Sequence, residues 1–495
     1  MIDADWYCRD WLARRANISP NKEAVVSPSK GDSLSYQEFH RIVEDRAKHL
    51  VQHLNNTAHI GCLSNLPLSF AIDLFAGIRA GKTVIPLNPT RPKEVLLSQL
   101  ELVDAQSVMY NTTTNEIATS LAENGQITGI QTDGIPTEDG CVGLFESQQQ
   151  SIDNIPLPDK WLILFTSGTT GDTKPVPLTA SNLGSSAVGS AMRLGIDQQD
   201  RWLDPLPTYH MGGIAPIIRS VLYGTTVVLQ ANFEPNHTIR LIENHSVSGI
   251  SVVPTMLQEI LNAGSLPLLR FILCGGAKTP PDLIERCKRR RLPIYPTYGM
   301  TEASSQIATA TPLEAYRYPE YVGRPLFQMD VKIIQDGESM PAGETGEIVI
   351  EGPSVTTGYY NDKQATSKRI SEHGFHTGDI GRVTENGMIA VIGRKDRMIV
   401  TGGENVHPEE VADVIEGHPD VSAVAVVGIE DEHWGEKVAA AIVGEITEIE
   451  VNELCGTKLA SYKVPKTVVT VEELPRTASG TVDYSAVREY IRRKE

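Results

Sequence analysis

Phe165-Thr166-Ser167-Gly168-Thr169-Thr170-Gly171-Asp172-Thr173-Lys174 follows the apolar, strand-like segment Trp161-Leu162-Ile163-Leu164. From Thr166 to Gly171 every residue is a hydroxyl or a glycine, and a lysine closes the run. Glycine lets backbone N–H groups curl around an anion, hydroxyls add donors, and lysine adds a mobile positive charge. The composition is that of a loop that grips phosphate. It differs from the common P-loop, which would place Gly and Ser/Thr where this chain has Thr173 and Pro175. Read alone, a Ser/Thr/Gly tract is more often a solvent-facing loop. The segments downstream decide between the two.

A chain of 495 residues exceeds one compact core, so two or more domains are expected. Hydrophobic content of 40% and charged content of 21% are ordinary for a soluble protein. No window approaches the length of a bilayer span, and Asp3, Asp5, Arg9 and Asp10 stand where a secretion signal would be apolar. The six cysteines (Cys8, Cys62, Cys141, Cys274, Cys287, Cys455) are scattered, which fits reduced thiols better than disulfides or a zinc site. These features predict a cytoplasmic protein with no integral membrane association. A net charge of −18 argues against nucleic acid as a partner, so a polyanionic ligand would need local positive groups. Homo-oligomerisation stays open.

Residues from Tyr36 to Leu54 and from Ile72 to Ala80 carry apolar side chains at helical spacing. Thr83–Leu87, Ser248–Val253 and Leu269–Cys274 read as short buried strands. Their alternation with helices predicts a layered α/β body with largely parallel sheets. From Met329 the pattern turns to short strands, with Asp336-Gly337 and Asn386-Gly387 as hairpin signals, so a β-rich subdomain is expected over about 329–392. The charged run Gly393-Arg394-Lys395-Asp396-Arg397 marks a boundary between a body, 1–392, and a small α+β domain, 398–495.

Along the chain stand Thr166 to Lys174, Tyr298-Gly299-Met300-Thr301-Glu302, Thr377-Gly378-Asp379, Gly393-Arg394-Lys395-Asp396, Gly402-Gly403-Glu404-Asn405-Val406 and Pro475-Arg476-Thr477-Ala478-Ser479-Gly480. In this order and spacing they resemble the acyl-adenylate-forming (AMP-binding) superfamily, over nearly the whole chain. The resemblance implies an α/β fold: a large N-terminal body of several subdomains, a 393–397 hinge and a small mobile C-terminal domain. It implies an ATP-dependent acid–thiol ligase using ATP, Mg²⁺ and CoA. A carboxylate attacks the α-phosphorus of ATP, pyrophosphate leaves, and a thiol then displaces AMP.

The resemblance also assigns roles. Thr166, Ser167, Gly168, Thr169, Thr170, Gly171 and Lys174 would hold the departing phosphates. Glu302 would ligate Mg²⁺, a hard cation suited to oxygen donors. Tyr298 would stack on adenine, beside Gly299 and Thr301, and Gly276 and Ala277 would border the adenine and acyl sites. Asp379, assisted by Arg394, would take the ribose hydroxyls. Asp396 matches the hinge. Gly402, Gly403 and Glu404 would line the CoA channel, with Trp434 in the segment that contacts CoA. Glu302, His210 and Lys174 are the candidate catalytic residues. Blander readings compete: a solvated Glu302, a plain strand-end turn at Gly276, a surface linker at Asp396, a core tryptophan at 434.

One motif departs from the pattern. Relatives commonly read Ser-Gly-Lys where this chain has Ser479-Gly480-Thr481. Threonine cannot supply the cation, and losing such a contact typically costs ~10²–10³ in rate, roughly 3–4 kcal/mol. Lys463 and Lys466 are candidate substitutes; an adenylation-impaired relative is the alternative.

Pro207-Thr208-Tyr209-His210-Met211-Gly212-Gly213 matches the segment that carries a gating residue beside the acyl site. Arg219 stands in the apolar run Ile214 to Tyr223, and a buried arginine needs an anionic partner. With Asp200-Arg201-Trp202-Leu203, Tyr223-Gly224 and Ser304-Ser305-Gln306-Ile307, these features resemble the o-succinylbenzoate–CoA ligases of menaquinone biosynthesis. That resemblance implies a dicarboxylate substrate, with Arg219 on its benzoate carboxylate and His210 and Ser305 beside it. A general aryl or medium-chain acyl-CoA ligase is the alternative, and Arg219 could instead snorkel or pair with an acidic side chain.

Overall fold

The computed structural model describes residues 10–28, 31–54, 57–123, 127–133, 152, 155–167, 173–431, 433–476 and 482–494. They fall into two compact units: Met1–Asp330 with Ile350–Phe375, and Val331–Val349 with His376–Glu495. The fold is mixed α/β, as the alternation predicts.

In the first unit, one sheet runs in the order Thr128–Gln131, Ser107–Tyr110, His59–Leu63, Thr83–Leu87, Lys160–Ser167, Thr173–Thr179. All its pairings are parallel except the last. Residues of His59–Leu63 and Thr83–Leu87 are buried throughout, as expected for parallel strands covered on both faces. The second sheet has a parallel centre: Ile294–Met300, Phe271–Cys274, Gly249–Val252, Arg201–Asp204, Thr226–Leu229, Glu23–Ser27. Its edges are antiparallel. Strand alternation gives this sheet two distinct faces. Leu203, Val228, Ile250 and Ile272 pack with Leu241 and Leu257 on one side. Trp202, Phe271 and Leu273 pack with Leu194 on the other.

Helix starts follow local chemistry. The expected Tyr36 helix spans Tyr36–His53 behind a Ser35/Glu38 capping box. The helix expected from Ile72 begins earlier, at Pro67, where a proline at the first position has no N–H to leave unpaired.

The second unit contains both predicted hairpins. Asp336 (φ 52°) and Gly337 (φ 85°) join Asp330–Gln335 to Glu338–Ser339, and Gly387 (φ 75°) lies between the paired strands Gly374–Val383 and Ile389–Arg394. A further sheet orders Glu404–Val406, Ile399–Thr401, Gly435–Gly444, Val421–Asp431, with Thr467–Thr470 also along Gly435–Gly444. Helices Pro408–Glu416 and Glu448–Lys458 cover one face and Tyr484–Lys494 the other. The units do not coincide with a 1–392/398–495 division: strands N-terminal to the charged run pack with segments C-terminal to it, and Gly393 lies against the Glu409 carboxylate. No helix among the described residues is long and apolar enough to cross a membrane. Cys62, Cys274, Cys287 and Cys455 are free and buried, whereas Cys8 and Cys141 lie outside the described residues.

Candidate active site

Strands Lys160–Ser167 and Thr173–Thr179 pair with Thr166 opposite Lys174 and Ser167 opposite Thr173. Gly168, Thr169, Thr170 and Gly171, at the tip of the expected phosphate loop, lie outside the described residues, as do Ser479, Gly480 and Thr481. The Lys174 ammonium stands 5.3 Å from the centre of the Tyr359 ring. The Tyr359 hydroxyl donates to Glu302 Oε1 at 3.0 Å, and Glu302 is buried. Backbone bonds fix this order: Thr356 N–H donates to Glu302 O at 2.7 Å and Tyr360 N–H to Pro175 O at 2.9 Å. Cation, phenol and carboxylate are thus assembled from three distant segments. Among the described residues no three His, Cys, Asp or Glu side chains converge as a metal cage. The buried Glu302 carboxylate is a hard oxygen donor of the kind Mg²⁺ takes, and would hold that ion as a single protein ligand.

Ile294–Met300 turns through Thr301–Ala303 into the antiparallel Ser305–Thr309. Gly299 is obligatory there, because a Cβ would stand 1.8 Å from Ser305 O. Ser304 (φ 54°) and Ser305 (φ 112°) hold left-handed backbone, a cost of ~1–3 kcal/mol each. Ser304 is tied down by its hydroxyl to Ser354 O (2.8 Å) and by Ser186 Oγ donating to its carbonyl (2.7 Å). Gly276 and Ala277 follow Phe271–Cys274, whose neighbour in the sheet carries Tyr298. All three sit toward the carboxyl ends of parallel strands, where α/β sheets bind ligands.

The helix Met211–Tyr223 carries the acyl-side candidates and packs on Arg201–Asp204 and Ser305–Thr309. Its start is set by Gly213, where a Cβ would meet Pro207 O at 2.4 Å. Its end is held by Arg15, whose guanidinium donates to Val221 O (2.9 Å) and Leu222 O, and by Tyr36 Oη on Ser220 O (2.7 Å). His210 is the N-cap residue, and its Nε2 is buried with no hydrogen-bond partner among the described residues. Burial, with a smaller push from Arg91, brings its pKa down to about 4, so the ring is neutral at pH 7. Arg219 is 2% exposed. Its guanidinium lies 5.7 Å from the centre of the Trp202 ring, and Nη2 has no hydrogen-bond partner among the described residues. It neither snorkels nor pairs with a described carboxylate. Burial pulls its pKa down, with Tyr223 opposing.

In the second unit Arg394 joins Asp379 (3.2 Å) to Asp396 (3.2 and 3.1 Å). Burial works against its charge, yet the two carboxylates raise its pKa. The neighbouring Lys395 is bound to Glu347 at 3.0 Å. Gly402 (φ 58°) and Gly403 (φ 87°) form the turn into Glu404–Val406. A Cβ on Gly402 would stand 2.9 Å from the Trp434 ring, and Trp434 is 43% exposed, which excludes the core-tryptophan reading. Lys463 grips both oxygens of Glu410 at 2.7 and 2.6 Å, whereas Lys466 is exposed.

Residues 12–360 match the AMP-binding enzyme family model and residues 410–481 match the AMP-binding enzyme C-terminal domain. The chain belongs to the AMP-binding enzyme family. The 2-succinylbenzoate–CoA ligase of Bacillus mycoides is 35% identical over 95% of this chain and 96% of its own length. The o-succinylbenzoate CoA synthetase of Bacillus subtilis, solved with its acyl-adenylate, superposes at a TM-score of 0.87 and 30% identity, covering 97% of this chain and 98% of that one. ATP-bound MatB from Rhodopseudomonas palustris gives 0.88 at 25% identity, with 97% and 98% covered.

Two residues of this AMP-binding enzyme escaped sequence reasoning. Tyr359 bridges Lys174 and Glu302, but its Tyr-Tyr setting gives no local signal. Asp204 follows the core residues Trp202 and Leu203 at the end of its strand, and a buried acid in that position was the available cue.

Proposed function

We propose that this AMP-binding enzyme activates the succinyl carboxyl of 2-succinylbenzoate with ATP and passes the acyl group to CoA. The observation that carries the substrate reading is Arg219: a buried guanidinium with an unpartnered nitrogen, on the helix that His210 caps. A buried cation without an anion is costly, and a benzoate carboxylate meets the need with two oxygens in the geometry of the guanidinium fork. The relatives named for this substrate, at 35% identity over almost the whole chain, support the choice.

Lys174 and the loop before it hold the departing phosphates, and Tyr359 fixes Lys174 and Glu302 relative to each other. Mg²⁺ at Glu302 would offset charge on the phosphate oxygens. Neutral His210 stands beside the acid and excludes water rather than carrying charge. In the second unit Asp379 and Arg394 take the ribose, Asp396 is the hinge between the two half-reactions, and the Gly402–Glu404 turn with Trp434 receives CoA. Arg219→Ala should raise KM for the dicarboxylate at least tenfold while KM for ATP stays near wild type. Equal loss on both substrates contradicts the assignment.

A further inference from the structure

Asp204 is the last residue of the strand Arg201–Asp204, 1% exposed. One carboxyl oxygen accepts the Leu206 N–H at 3.2 Å, and the other, Oδ2, has no hydrogen-bond partner among the described residues. Strand alternation puts Asp204 on the same face as Trp202, the ring over which Arg219 lies, and that face is covered by Met211–Tyr223. Asp204 is about 7 Å further along the strand than Trp202, toward its carboxyl end. His210 begins the helix beyond that end, and Arg219 lies nine residues, about 13 Å, back down it. Three buried polar atoms without partners are therefore strung along one helix–sheet interface, with His210 outermost, Asp204 between and Arg219 deepest.

We infer that Asp204 is a specificity-determining residue that donates a hydrogen bond from Oδ2 to a carbonyl oxygen in the middle of the acid, so the enzyme selects a keto dicarboxylate. The inference rests on the dicarboxylate reading of Arg219 and adds what stands between the two carboxyls. Burial, opposed only by the Leu206 N–H, pushes the Asp204 carboxyl well above its usual range; this favours the protonated form, and that form carries an O–H to donate. With the benzoate on Arg219, the ketone of 2-succinylbenzoate necessarily lies between the ring and the carboxyl being activated. A site built to donate there leaves a buried donor unpaired when the ketone is missing, and so discriminates against the analogue.

The test compares thioester formation from 2-succinylbenzoate and from 4-(2-carboxyphenyl)butanoate, in which a methylene replaces the ketone. Wild type should prefer the keto acid by about tenfold in kcat/KM. Asp204→Leu, of similar size, should lose that preference by falling on the keto acid alone, and Asp204→Asn, which keeps an N–H donor, should retain most of it. Equal wild-type activity on both acids overturns the inference without any variant. So does an Asp204→Leu enzyme that loses equally on both, or an Asp204→Asn enzyme that loses as much as Asp204→Leu. Wild type inactive on both acids fells the dicarboxylate reading as well; wild type active on the methylene acid with Asp204→Leu unchanged on either fells this inference alone.

Discussion

Arg219 carries its charge into the interior with no described carboxylate to answer it. A folded chain that keeps such a group spends stability on it, and an apolar replacement of similar length should recover at least about 1 kcal/mol. Arg219→Met is therefore expected to raise Tm while removing use of the dicarboxylate; a lower Tm would mean the guanidinium is structurally satisfied. Asp204 makes a second prediction at this scale. Its folded pKa is raised, so the unfolded chain releases the proton first, from about pH 3.8 upward. The stability it contributes is whole below that value and declines as pH rises toward the folded pKa. Asp204→Asn, which does not titrate, should gain on wild type in denaturant unfolding as pH goes from 4 to 8. A gap that stays constant over that range would contradict the upward shift. Sequence reasoning reached Arg219 because an arginine in an apolar helical run is conspicuous. It stopped at Leu203, one residue short of Asp204, because strand alternation alone does not tell which face will hold a ligand.

At the scale of elements, the Ile294–Met300 and Ser305–Thr309 hairpin and the 356–360 segment hold the nucleotide-side residues in register. Gly299→Ala would drive a Cβ into Ser305 O, and such overpacking typically costs about 1–3 kcal/mol. The expected result is a Tm drop together with weaker ATP binding, measured by calorimetry; unchanged ATP affinity would detach this turn from the nucleotide. Tyr359→Phe keeps the ring beneath Lys174 and removes the hydroxyl that donates to Glu302. It should lower the adenylation rate with little change in Tm. The strands, helices and hairpins here were legible because period, proline and Asp-Gly signals agree with the tertiary environment. The Lys174–Tyr359–Glu302 contact was not, since it joins segments more than fifty residues apart that no local pattern connects.

Across the whole molecule, the two half-reactions should separate by mutation. Gly402→Val meets the Trp434 ring and a left-handed backbone at once, so it should slow thioester formation while pyrophosphate exchange persists. Lys463 is engaged by Glu410, which leaves exposed Lys466 as the better stand-in for the lysine absent at Thr481. Thr481→Lys should accelerate adenylation by up to ~10². The division of the chain was harder to read than its motifs, because the β-rich strands are contiguous in sequence with one unit and packed largely within the other. The two units together serve one overall reaction, ATP cleavage coupled to acyl transfer onto sulfur. Incubation of the full chain with ATP, Mg²⁺, CoA and 2-succinylbenzoate, followed by mass analysis, should yield one AMP and one CoA thioester per acid consumed. AMP and thioester both absent from well-folded protein, with this and every other carboxylic acid supplied, would contradict it.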